Sequence, residues 1–275
     1  MSTLETSRRP SHTGRTVMLI VVGVVVTAMI VWLATGIAHA ATRPDASGTF
    51  EIEEPFDSVV LDSDLADVDI AYRDVDRSEL TLRQGDAREH LELDHEVRGD
   101  TLHVSLRHVR DVGVPLWWPW FGDRSPRLEL VLPAALEREP VALEVSTEMG
   151  DIDTTGAFAD VSLHSSVGDI ELDGSAESLA VHTDAGEIGL ERFSTEGELT
   201  ARSGVGDVTI GLEALPSGIR VETDAGQVHV DLPQGRYALT ADTSLGDVDI
   251  DADNDSSAAR QYEFTTSVGD ISVRS

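Results

Sequence analysis

The residues best placed to do chemistry are acidic, and they repeat. Asp151, Asp169, Glu187, Asp207, Asp247 and Asp270 each follow a glycine, and Gln227 fills the same place once. The glycines are Gly150, Gly168, Gly186, Gly206, Gly226, Gly246 and Gly269, spaced by 18, 18, 20, 20, 20 and 23 residues. If each repeat is one rung of a stacked β-structure, these side chains form a line at about 4.8 Å intervals. A line of carboxylates could bind cations along its length. Two carboxylates two rungs apart, about 9.6 Å, would fall in the range of an inverting glycoside hydrolase. The third reading is architectural, because Asp beside Gly favours a tight turn by bonding its own backbone. The motif recurs without a unique pair and without a basic cluster beside it, so the turn reading is the one adopted, with the glycines as a structural ladder.

Further candidates lie off this line. Asp251, Asp253 and Asp255 match the first three ligand positions of a calcium loop. Ser256 then stands where that loop needs glycine, Tyr262 where it needs a bidentate Glu, and Glu263 comes one residue late. Calcium is thus the one cofactor the sequence suggests, against a solvated loop as the bland reading. Trp117, Trp118, Trp120 and Phe121 sit between Pro115 and Gly122, with Pro119 among them. That much aromatic surface is not left in water without reason, and the prolines argue against a helix or a central strand. The run would contact a membrane or partner, or plug the end of the fold. His164 and His182 share an outward column, but Arg202, Glu222 and Asp242 follow them, which reads as solvated surface rather than a metal site. Arg98-Gly99-Asp100 spells an adhesion tripeptide, yet a hairpin turn accounts for it.

The positioning elements follow from the residues flanking each glycine. Seven residues before it stand Leu143, Val161, Leu179, Leu199, Ile219, Leu239 and Tyr262; two after it, Ile152, Ile170, Ile188, Val208, Val228, Val248 and Ile271. Aliphatic side chains dominate five before as well, Ser or Thr stands three before, and polar residues intervene. This alternation on both sides of a glycine corner predicts two short strands per repeat, one face inward. The fold class is all-β: a parallel β-solenoid of 18–20-residue rungs, in which each repeat buries its face against its neighbours. The Ser/Thr column is expected to form a ladder of hydroxyls bonded to one another. Val59, Leu61, Ser63, Leu65, Ala66, Asp67, Val68 and Ile70 fit a further, degenerate rung. Leu91–Leu93 and Leu102–Leu106 read as a hairpin and Leu128–Leu132 as a strand, together capping the entry end. The other end shows no cap, so the final strand near Ser275 is expected to be an open edge inviting end-to-end self-association.

Composition sets the surroundings. The 275 residues carry 51 Asp+Glu against 20 basic residues, all Arg, for a net charge of -31. Such a surface repels nucleic acid. No cysteine is present, which removes disulfides, thiolate metal sites and a Cys nucleophile. Residues 17–38 carry no charge and are long enough for a transmembrane helix; Arg8, Arg9 and Arg15 precede them. The expected organisation is a cytoplasmic tail over 1–16, a single-pass anchor over 17–38 and a linker over 39–49. The degenerate solenoid part follows over 50–140 and regular repeats over 141–275. Residues after the anchor are expected outside the cell membrane; Ala38-His39-Ala40 leaves cleavage as the rival reading.

The Gly-Asp-Ile/Val rungs behind one apolar segment resemble a bacterial adhesin-like family of membrane-anchored β-solenoid domains of unknown function. That resemblance implies no catalytic residues, and some members are encoded beside envelope-stress sensors. The expectation is therefore a non-catalytic cell-envelope module, not an enzyme, whose partners are the membrane and an envelope glycan or protein. The alternatives are an accessory or sensor component of a stress system and a solenoid carbohydrate-active enzyme.

Overall fold

Two strands per repeat, joined at a glycine, generate the observed architecture. The computed structural model describes residues 48–83, 91–108 and 125–275, which form nineteen strands. Segment 17–38 and the aromatic run Trp117, Trp118, Trp120 and Phe121 lie outside the described residues. Among the described residues no helix is long and apolar enough to cross a membrane.

Each rung is named here by its corner residue. Ser58–Ser63 and Asp67–Arg73 make the Ala66 rung, and it pairs in parallel with the Gly150 rung, Val59 beside Leu143 and Val68 beside Ile152. The degenerate rung is therefore real, in the register the columns predict. Ile152–Val167 and Ile170–Ala185 each run through a second corner, at Gly156 and Gly174, and so serve two rungs at once. Beyond them Glu198–Val205 and Val208–Leu212 form the Gly206 rung, and Gly218–Ala225 with Val228–Asp231 the Gly226 rung. The inward columns are buried in every rung but the Gly246 rung, with Ile170, Ile188, Val208 and Val228 at the centre of one continuous apolar stack.

The entry end is closed by antiparallel strands. Leu91–Arg98 and Thr101–His108 form the expected hairpin, with Gly99 at φ 65°, and Thr101–His108 lies beside the Ala66 rung. On the other face Arg127–Pro133 pairs with Asp67–Arg73. Ser78–Arg83 and Gly48–Ile52 then add in antiparallel order, two strands the sequence columns do not mark.

The opposite end departs from expectation. The last rung in sequence, Gln261–Val268 with Ile271–Arg274, is not the last in space. It lies between the Gly226 rung and the Gly246 rung, Tyr262 in register with both Ile219 and Leu239. The chain leaves Asp231, skips one rung position, builds Ala238–Leu245 and Val248–Asp251, and returns to fill the gap. The open edge thus belongs to the Gly246 rung and not to the strand near Ser275. Intercalation gives Phe264 and Val273 apolar neighbours on both sides, and both are fully buried.

Candidate functional site

The corner is tight because the chain must turn while the next rung passes at van der Waals range. Gly168 adopts φ 152°, and a Cβ there would stand 2.1 Å from the carbonyl oxygen of Gly150. No side chain fits, which explains the glycine column.

The residue after each glycine has a structural partner, though not the expected one. Oδ1 of Asp151 accepts the backbone N–H of Asp169 at 2.9 Å, and Oδ1 of Asp169 accepts that of Glu187 at 2.7 Å. Asp207 accepts from Gln227 at 2.7 Å, and Asp270 from Asp247 at 2.8 Å. The carboxylates join successive rungs instead of bonding their own backbone. A charged acceptor for a corner N–H offsets the like-charge cost of the column. Burial, the hydrogen bond from Asp151 and the charge of Asp151 act on Asp67, and burial dominates, raising its pKa.

The Ser/Thr column is likewise corrected. Ser165, Thr183, Ser203 and Thr223 donate to the carbonyls of Gly150, Gly168, Gly186 and Gly206, at 3.0–3.2 Å. Thr266 donates to Gly226 and Thr243 to Gly269, following the spatial order of rungs and not the chain order. The hydroxyls satisfy corner carbonyls and not one another.

The other candidates separate. Asp255 is committed: Arg236 donates to its Oδ2 at 2.6 and 3.1 Å, and Ser257 donates from backbone and hydroxyl to Oδ1. These bonds, Ser257 foremost, lower its pKa to about 2. Asp251 ends a strand and its carbonyl accepts the N–H of Ser275. Among the described residues no three His, Asp or Glu side chains converge as metal ligands, so the calcium-loop triad Asp251, Asp253 and Asp255 is not brought together. His164 and His182 stack face to face, centroids 5.1 Å apart, and His182 pairs with Asp184 at 3.0 Å. Burial and the neighbouring imidazole hold His164 below its usual pKa. Arg98 pairs with Glu96 on its own strand and lies opposite Thr101, so Gly99 and Asp100 of the Arg98-Gly99-Asp100 tripeptide form the hairpin turn.

One feature was not singled out in the sequence. The column immediately before the glycines is apolar, and five of its seven members face water: Met149, Val167, Val205, Val268 and Leu245 are exposed, while Ala185 and Ala225 between them are half-buried. They form a ridge beside the carboxylate line, roughly 29 Å long from the Gly150 rung to the Gly246 rung at about 4.8 Å per step. The signal was present, since an aliphatic residue precedes most corner glycines, but alternation alone assigns it no face. Two shallow acidic grooves lie elsewhere on the described surface. One of about 410 Å³ lies at the entry end between Glu51–Glu54 and His95–Val97, and one of about 230 Å³ is lined by Asp153, Glu171, Gly189 and Glu191.

No curated protein matches the chain. A crystal structure from Clostridium sporogenes ATCC 15579, named for a candidate cell adhesion protein, is 11% identical with a TM-score of 0.39, covering 83% of this chain and 98% of that one. Another, from Parabacteroides distasonis ATCC 8503 and named for a candidate lipid binding protein, is 12% identical with a TM-score of 0.40, covering 81% and 96%. Residues 137–274, the regular rungs with their glycine–aspartate corners, match the Toastrack DUF4097 family, and the chain belongs to it.

Proposed function

We propose that this protein is a non-catalytic interaction module of the cell envelope, a rigid ladder tethered through residues 17–38 that presents its corner to a partner. The exposed apolar ridge of Met149, Val167, Val205, Val268 and Leu245 carries the reading. Soluble domains rarely line up exposed apolar side chains in one column against water unless something docks there. The carboxylates beside the ridge support the same reading. Those of Asp151, Asp169, Asp207 and Asp270 are spent as rung-to-rung acceptors, which suits scaffolding better than acid–base chemistry.

Co-sedimentation tests it. The full chain is mixed with isolated cell-wall sacculi and, separately, with anionic liposomes, beside a Val167→Ser/Val205→Ser/Val268→Ser variant and a Trp117→Ser/Trp118→Ser/Trp120→Ser variant. Pelleting that the ridge variant loses supports the proposal and the bait names the partner class. Pelleting lost only in the tryptophan variant moves the contact to that run, and turnover of a cell-wall glycan by the parent would overturn the non-catalytic reading.

A further inference from the structure

Every interior rung hands its outward-pointing backbone groups to the next. Gly226 donates its N–H to Val268, Gly269 to Leu245, and Ile271 to Asp247. The Gly246 rung has no following rung among the described residues, so the equivalent N–H groups of Gly246 and Val248 face an empty position. By the alternation of a parallel strand, Ile250, Ala241 and Thr243 face it too. The core is cut open at the same place. Val248 and Ile250 are 42% and 37% exposed, whereas Ile271 and Val273, their counterparts one rung inward, are buried at 1% and 0%. Only the start of this edge is covered. The amide of Asn254 accepts from Leu239 N–H and donates to Leu239 C=O, both at 3.0 Å, and Asp255 N–H reaches Tyr237 C=O. The entry end differs: Ile52 and Leu91 are buried in its outermost strands, and Arg77 ties down Glu51 and Glu53.

We propose that the uncovered edge of the Gly246 rung accepts one extended segment of another protein, alternating apolar and cationic residues, as an additional rung. The apolar positions follow from Val248 and Ile250. The cationic positions follow from Asp242, Asp247, Asp249 and Asp251, which line the edge without an Arg among them. The fold supplies the precedent on its inner side, where Arg274 lies in register with Asp251. Arg202 likewise bridges to Glu222 and Arg220 to Glu263 across neighbouring rungs. The same charges disfavour a second copy, because pairing two such edges sets carboxylates against one another. The proposal deepens the interaction reading by naming an edge and a partner chemistry. It rests on that reading, but its test does not use the ridge.

The probe is a synthetic peptide with the sequence of residues 261–274 carrying Thr265→Arg, Asp270→Arg and Ser272→Arg, which with Arg274 face Asp242, Asp247, Asp249 and Asp251 in the register of the native strand, added to the full chain in detergent micelles. Binding is followed by fluorescence anisotropy and by amide hydrogen exchange. Slowed exchange at Gly246, Val248 and Ile250 is expected, with Kd weakening at least tenfold between low and high NaCl. A Val248→Lys/Ile250→Lys variant should weaken binding at least tenfold, and the isosteric Asp249→Asn/Asp251→Asn variant at least threefold, both melting as the parent does. Absent binding, undiminished binding to both variants, or protection at the Gly226 rung through displacement of the native strand would each overturn the proposal. So would a mass that doubles as NaCl rises, which would make a second copy the occupant. Envelope sedimentation that persists while the peptide fails would leave the interaction module standing and remove only the edge.

Discussion

Oδ1 of Asp169 accepts the backbone N–H of Glu187, one rung further along, at 2.7 Å. The bond explains why the column prefers Asp. Glu187 and Gln227, one methylene longer, occupy the same place, and among the described bonds neither side chain takes the next rung's N–H as the aspartates do. Removing the acceptor by Asp169→Ala is expected to cost about 1 kcal/mol, the size of one exposed charge-assisted hydrogen bond. Asp169→Asn keeps an oxygen acceptor and removes a like charge, so it should be near neutral at low salt. Urea unfolding of the two variants decides: equal losses would mean that the charge, not the acceptor, matters.

Corner glycines differ sharply from glycines elsewhere in the same strands. A Cβ at Gly168 would sit 2.1 Å from a backbone oxygen that cannot move without shifting a whole rung, whereas at Gly189 the nearest atom is Glu171 Cγ at 3.6 Å. Gly168→Ala is expected to destabilise by about 3 kcal/mol, combining backbone strain with the clash. Gly189→Ala should be neutral or slightly stabilising. A thermal melt in which the two fall equally would show that the corner relaxes.

These corners also mark how far sequence alone reaches. The inward columns fix a period-2 face, so the rungs, their register and the degenerate Ala66 rung follow from side-chain alternation. Rung order does not, because Tyr262 and Phe264 suit either neighbour and every interior rung offers the same surface. The 23-residue interval before Gly269 holds the return loop, but a longer loop is also what a simple extrusion would give. Hydrogen-bond partners were equally hidden: Thr183 and Asp169 stand in columns whose spacing predicts contact, while the acceptor is chosen by the corner's backbone geometry. The exposed ridge escaped because one aliphatic residue beside a glycine has no period of its own.

Acid should first strengthen this fold. Burial, with Glu171, Asp69 and Asp151 alongside, raises Asp153, and burial is also the chief cause raising Asp62. A carboxyl raised in the folded state binds its proton more readily folded than unfolded, so stability grows as pH falls from neutrality through those values. Asp255 works the other way, its contribution present above the unfolded carboxylate pKa and lost as pH falls toward about 2. His164, lowered by burial and His182, opposes the gain below its unfolded value of about 6.5. The melting temperature is expected to pass through a maximum on the acid side of neutrality. Asp153→Asn should flatten the rise and His164→Gln steepen it; a monotonic fall from pH 7 to 5 in His164→Gln would contradict the assignment.

The intercalated rung makes the end of the ladder a cooperative pair. Phe264 is fully buried, with Val221 in register on one side and Ala241 on the other. Phe264→Ala leaves a cavity between two rungs and is expected to cost about 3–5 kcal/mol. In a solenoid that loss spreads to nearest neighbours. The Gly246 rung should feel it more than the Gly206 rung, because its ladder bonds run through Gln261–Val268 and Ile271–Arg274. Native-state hydrogen exchange separates the two possibilities. Amides of Ala238, Thr240 and Asp242 should open together with those of residues 261–268, while those of Glu198–Val205 stay protected. If the Gly246 rung kept its protection in Phe264→Ala, it would be held by something other than the returning strand, and the rung order described here would be wrong.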